Sequence, residues 1–227
     1  MTTTSSTGAW DEPPGLAARG TVILLTGRGE TARTYQRFGR RIAADAYRVR
    51  VVETDLDDLT TTRKQVEALL RDDDLPSPKV LAGSDTGATL ATQLPGADGL
   101  VLAGLALPGS TPVTDWQAEL DARSACPTHQ GVLSEDEDFT RGALARPVPS
   151  DWTVEPPAVP TLVLHGSSDT VTPSASAFEL LPHARRRTVV GGRHDVLNDV
   201  SHRSVAATVV LFLESLKLGG DLPDIVV

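Results

Sequence analysis

The chain has 227 residues and a net charge of −9, from 21 Lys+Arg against 30 Asp+Glu, with 40% hydrophobic residues and only nine aromatics (Phe 4, Tyr 2, Trp 3). That length suits one domain, whose core must be packed mainly with Val, Leu and Ala. The negative charge and scarce aromatics argue against a nucleic-acid surface, and a single cysteine, Cys126, excludes an internal disulfide framework and a cysteine-based zinc site.

Residues 1–20, rich in Thr, Ser and Pro, read as a flexible start with neither a secretory leader nor a membrane span, so a cytoplasmic location is expected. Thr21 to Thr26 is a continuous β-branched and apolar run stopping at Gly27, which reads as a strand buried on both faces. Thr31 to Ala46 carries Tyr35, Phe38, Ile42 and Ala46 at helical spacing, and Tyr47 to Val52 is a second strand. Thr60 to Leu70 is helical, Lys79 to Gly83 a strand, Thr86 to Leu94 a helix and Gly99 to Ala106 a strand. Later strands are expected at Thr161–His165 and Arg187–Val190, with a closing helix over Ser201–Leu216 and a loose tail from Gly219. The alternation predicts an α/β fold with a doubly wound, mostly parallel sheet of about six strands, helices on both faces and a domain spanning 21–218. From Pro108 to Pro160 the periodicity is lost, and this stretch reads as a lid-like insertion with one or two short helices.

The most informative stretch is Gly83-Ser84-Asp85-Thr86-Gly87, where a strand, a tight glycine-framed turn and a helix meet. The two glycines put Asp85, and not Ser84, at the apex. This layout resembles the nucleophile elbow of the α/β-hydrolase superfamily, and the resemblance runs from about Thr21 to Leu216. It implies that Asp169, in the loop after Thr161–His165, is the acid of a triad and that His194, after Gly191-Gly192, is its histidine. Asp195 and Asp199 are rival partners for that imidazole. By the same resemblance the loop Gly27-Arg28-Gly29-Glu30 supplies one backbone N–H of an oxyanion hole, at Gly27 or Arg28, and Thr86 the other.

An aspartate at the apex changes the chemistry. A carboxylate is ionised at neutral pH and needs no base to attack, but attack on an ester carbonyl would give a high-energy anhydride. Attack on an sp3 carbon gives an ordinary ester, which water activated by His194 can hydrolyse. Haloalkane dehalogenases and epoxide hydrolases of the superfamily use this arrangement. The epoxide branch uses lid tyrosines, whereas Tyr35 and Tyr47 precede the elbow; Trp116 and Trp152 in the insertion are candidate contacts to a leaving group or substrate. Two other readings stay open: a lyase, epimerase or cyclase moving a proton through Asp85 and His194, and a binding protein without chemistry. A small-molecule partner is expected, with no metal and no cofactor.

Ordinary roles compete at each position. Asp is at home in turns of positive φ. Glu30 is a candidate substrate contact, although capping a helix that begins near Thr31 is its commoner role. His165 reads as structural, His129, His183 and His202 as solvent-exposed, Glu135 to Asp138 as a solvated run, and Cys126 as a small buried side chain.

Overall fold

The computed structural model describes residues 8–226. Seven strands, β1 (Ala9–Trp10), β2 (Gly20–Leu25), β3 (Tyr47–Val52), β4 (Lys79–Ser84), β5 (Gly99–Ala103), β6 (Thr161–Gly166) and β7 (Arg185–Val189), form one sheet in the order β1-β3-β2-β4-β5-β6-β7. Every pairing is parallel except that of β1 with β3.

The period-2 alternation of strands sorts the core into two layers. Val22, Leu24, Val80, Ala82, Val101, Ala103, Leu162 and Leu164 point to one face. Helices α1 (Gln36–Ala44) and α7 (His202–Leu218) cover it with Phe38, Ile42, Val205, Val209, Phe212 and Leu213. Ile23, Leu25, Leu81, Leu100, Leu102 and Val163 point to the other face. There α2 (Leu59–Arg71), α3 (Thr86–Thr92) and α6 (Ser174–Leu180) bring Val66, Ala88, Leu90, Ala91 and Ala177. Strands buried on both faces have no polar side to display, which is why they read as unbroken apolar runs.

The structure adds one strand to the expected six. Ala9–Trp10 lies within the stretch read as a flexible start, yet it pairs with Val49 and Arg50, and Trp10 packs against the core. Two residues are too few to carry a periodicity. β7 begins two residues before the expected Arg187, because the three arginines 185–187 lie on an edge strand where charged side chains reach water. The segment between β5 and β6 holds α4 (Trp116–Arg123), α5 (Pro127–Glu135) and a short 3-10 turn at Ala143–Ala145. Among the described residues no helix is long and apolar enough to cross a membrane.

Candidate active site

β4 runs straight into α3 through Asp85, whose φ of 51° and ψ of −123° lie outside the usual regions for a residue with a side chain. Such a turn needs close backbone approach on either side. A Cβ on Gly83 would stand 2.4 Å from the Gly87 carbonyl, and one on Gly87 would stand 2.4 Å from the Leu25 carbonyl oxygen. The backbone is then pinned to the sheet, since Asp85 N–H donates to the Ala103 carbonyl at 3.1 Å and Asp85 C=O accepts from Ala88 at 3.1 Å.

The loops after β6 and β7 carry the partners. His194 donates through Nε2 to Asp85 Oδ1 at 3.0 Å and through Nδ1 to Asp169 Oδ2 at 2.8 Å. Asp169 is itself oriented: Oδ1 accepts from the backbone of Val171 (2.8 Å) and Thr172 (3.0 Å), and His165 Nε2 lies 2.9 Å from Oδ2. Asp85, Asp169 and His194 all lie within the interior. Burial works against an imidazolium, but the charges of Asp169 and Asp85 outweigh it and hold His194 up at about 10. Both ring nitrogens therefore carry protons at neutral pH. The rival carboxylates turn elsewhere: Asp195 pairs with His129, and Asp199 accepts from Ser124, Ala125, Arg193 and Val200.

The side chain of Arg28 is the feature that motif reading missed. Its backbone N–H and its Nε both donate to Asp85 Oδ2 at 2.8 Å, and Nη2 donates to Asp85 Oδ1 at 2.8 Å. Only 3% of Arg28 is exposed. Burial opposes ionisation of Asp85, yet Arg28 and His194 hold its carboxyl well below the usual range. The Arg28 backbone N–H, which the sequence suggests for an oxyanion hole, is thus directed at an oxygen of Asp85 itself. Thr86 Oγ1 lies 3.4 Å from the same oxygen. Gly27 N–H, by contrast, donates to Glu30 Oε2 at 2.8 Å and is not directed at Asp85.

Glu30 does not cap a helix; Thr31 does, accepting from Arg33 N–H. Glu30 is buried against Arg123 and receives the Tyr35 hydroxyl, because Arg123 reaches into the loop from α4. Burial and the nearby Asp195 raise its carboxyl to about 7, with Arg123 pulling the other way. Trp116 packs on Phe139 at 5.7 Å beneath Arg141, and Trp152 is buried with the α2, α3 and α6 layer, so neither indole is a partner of Asp85. His129 is not solvent-exposed but fully enclosed against Asp195, and Cys126 is half-buried. Asp136 of the acidic run is also buried, accepting the Thr31 hydroxyl at 2.5 Å.

Beside the cluster lies a cavity of about 500 Å³ at the carboxyl ends of β2 and β3, lined by Arg28, Gly29, Glu30, Thr54, Ala143 and Arg146 among others. Neither Asp85 nor His194 reaches its wall. Arg28 stands between the two, with Nη1 donating to the Arg146 carbonyl.

This sheet order, with an elbow after β4, an acid loop after β6 and a histidine loop after β7, defines the α/β-hydrolase fold. Solved structures agree. A monoacylglycerol lipase from Paleococcus ferrophilus superposes with a TM-score of 0.70 at 16% identity, covering 92% of this chain and 97% of its own. A monoglyceride lipase from Saccharomyces cerevisiae gives 0.71 at 14%, covering 92% and 90%. A meta-cleavage product hydrolase from Pseudomonas fluorescens gives 0.62 at 18%, covering 91% of each. No protein-family model and no curated protein matches the sequence.

Proposed function

We propose that the chain is a small-molecule hydrolase, working in the cytoplasm, in which Asp85 is the nucleophile. The observation that carries this reading is the hydrogen-bonded series Asp85–His194–Asp169, with its 3.0 and 2.8 Å contacts, on a fold whose solved neighbours include lipases and a meta-cleavage product hydrolase. An oxygen of Asp85 attacks an sp3 carbon, the bond to the leaving group breaks, and the leaving group departs with the bonding pair. The product is an ester of Asp85. Esterification removes one of the two negative charges that hold the proton on His194, so the imidazole can shed it and then take a proton from water. The resulting hydroxide attacks the ester carbonyl, and the backbone N–H of Arg28, with Thr86, receives the developing oxyanion. Its collapse breaks the bond from the acyl carbon to the alkyl oxygen, which leaves as the alcohol with the proton from His194, and the regenerated Asp85 carboxyl returns its own proton to the imidazole.

Tyr35 and Tyr47 do not supply an epoxide-activating hydroxyl: Tyr35 donates to Glu30, and Tyr47 donates to Glu214 at the other end of the molecule. Glu30 then serves to set the Arg28 loop, while Trp116 packs within the insertion and Trp152 in the core. Asp85→Ala should abolish turnover, and His194→Gln should accumulate an alkyl ester on Asp85 visible by intact mass. Turnover by His194→Gln with no adduct would overturn the covalent route. A second reading, a binding protein without chemistry, is favoured by the grip of Arg28 on both oxygens of Asp85, which opposes attack for as long as it lasts. Full retention of ligand affinity with no turnover of any alkylating probe would establish it.

A further inference from the structure

The hydrolase reading leaves one obstacle in place. Asp85 cannot attack while Arg28 covers both of its oxygens, and a buried guanidinium does not leave a carboxylate for an apolar or neutral polar surrounding, because that would leave the cation buried without a counter-charge. Only another anion can take its place without that penalty. The cavity is lined by Arg28 but not by Asp85, and of its lining carboxylates Glu30 is buried and committed to Arg123, whereas Glu53, Asp55, Asp57 and Asp138 belong to solvent-exposed residues. Asp57 is already paired with Arg146 at 2.7 Å. A ligand with one negative charge reaches the guanidinium, while these exposed carboxylates disfavour polyanions.

We propose that Arg28 is the specificity-determining residue of this site: the substrate is a small organic monoanion, a carboxylate in the simplest case, whose charged group draws the Arg28 guanidinium away from Asp85 and thereby frees the nucleophile. This rests on the assignment of Asp85 as nucleophile. Guanidinium suits the exchange because its planar fork pairs with either carboxylate in the same bidentate way, so Arg28 is never without a carboxylate partner while Asp85 keeps the His194 imidazolium. The residue's backbone N–H stays with Asp85 Oδ2 throughout, so the carboxylate keeps its aim while losing its cover. Substrate binding and nucleophile release become one event.

The test compares two reagents with the same benzylic C–Br bond, 4-(bromomethyl)benzoate and the neutral near-isostere 4-(bromomethyl)benzamide, on full-length His194→Gln protein. Asp85 would displace bromide from either, and peptide mapping would count the ester at Asp85. The benzoate should label Asp85 about tenfold faster or more, and Arg28→Gln in the same background should erase that preference, since an amide pairs about equally well with both reagents. Equal labelling with Arg28 present, or a preference surviving Arg28→Gln, would overturn the assignment. A separate arm measures binding alone: 4-methylbenzoate should raise the Tm of the wild-type protein and 4-methylbenzamide should not. If 4-methylbenzoate stabilises the protein but neither reagent labels Asp85, the anion site stands and the nucleophile reading fails. If the two reagents label Asp85 equally and 4-methylbenzoate has no effect, the nucleophile stands and the role of Arg28 falls.

Discussion

Arg28 and Arg123 are both buried, both paired with carboxylates, and joined to each other through the bond from Arg123 Nη2 to the Arg28 carbonyl at 2.7 Å. Every guanidinium nitrogen of Arg123 donates inside the protein: Nη1 to Glu30, Nε and Nη2 to Glu119, and Nη2 also to that carbonyl. Its carboxylates are equally committed, Glu119 to the backbone of Gly142 and Leu144, Glu30 to Gly27 and Tyr35. No ligand can reach it. Arg28 has the same chemistry and nearly the same burial, but one side of it faces a cavity. Chemistry alone does not separate a structural ion pair from an exchangeable one; the neighbouring empty volume does.

Substitutions can break or sharpen this contrast. Arg123→Leu leaves Glu30 and Glu119 buried without a cation and should cost about 3–5 kcal/mol in denaturant unfolding, because it unties α4 from the loop that carries Arg28. Next in size is the pH response. His194 is raised from 6.5 to about 10, so its stabilising contribution is complete below 6.5 and is lost as the pH climbs toward the higher value. Glu30 titrates near 7 and is almost fully ionised by about pH 8.5, so raising the pH from about 8.5 to about 9.5 isolates the histidine: Tm should fall more steeply over that window in the wild type than in His194→Gln. Asp85 acts with the opposite sign, its contribution being present above the ordinary carboxylate range and lost only in acid. Arg28→Gln should cost less than Arg123→Leu, about 1–3 kcal/mol, since Asp85 keeps the imidazolium and a backbone N–H. A loss equal to that of Arg123→Leu would erase the distinction between the two arginines. Smallest is Arg141→Ala, which removes a cation from the face of Trp116 and should cost about 0.5–1 kcal/mol.

The parts of the site that backbone geometry dictates are the parts the sequence displays. Gly83 and Gly87 frame the elbow because nothing larger fits, and the loops that carry Asp169 and His194 are marked by Gly166 at the end of β6 and by Gly191-Gly192 after β7. Side-chain choices made across long separations are not displayed. Nothing local to Arg28 says that its guanidinium will turn inward to a carboxylate 57 residues away, or that Arg123 will find Glu30 at a separation of 93. His129 reads as solvent-exposed for the same reason, its partner Asp195 lying 66 residues on. The extra strand escaped because pairing with β3, and not its own composition, makes Ala9–Trp10 extended.

That two-residue strand also closes one rim of the sheet. The open hydrogen-bonding edge of β3 meets β1 in antiparallel register, and β1 offers a newcomer only two residues to pair with. The opposite rim, β7, bears Arg185, Arg186 and Arg187 in succession, so a second copy adding there would set arginine against arginine. One edge is short and the other is charged, and the continuous apolar strands between them are kept from pairing with strands of other chains.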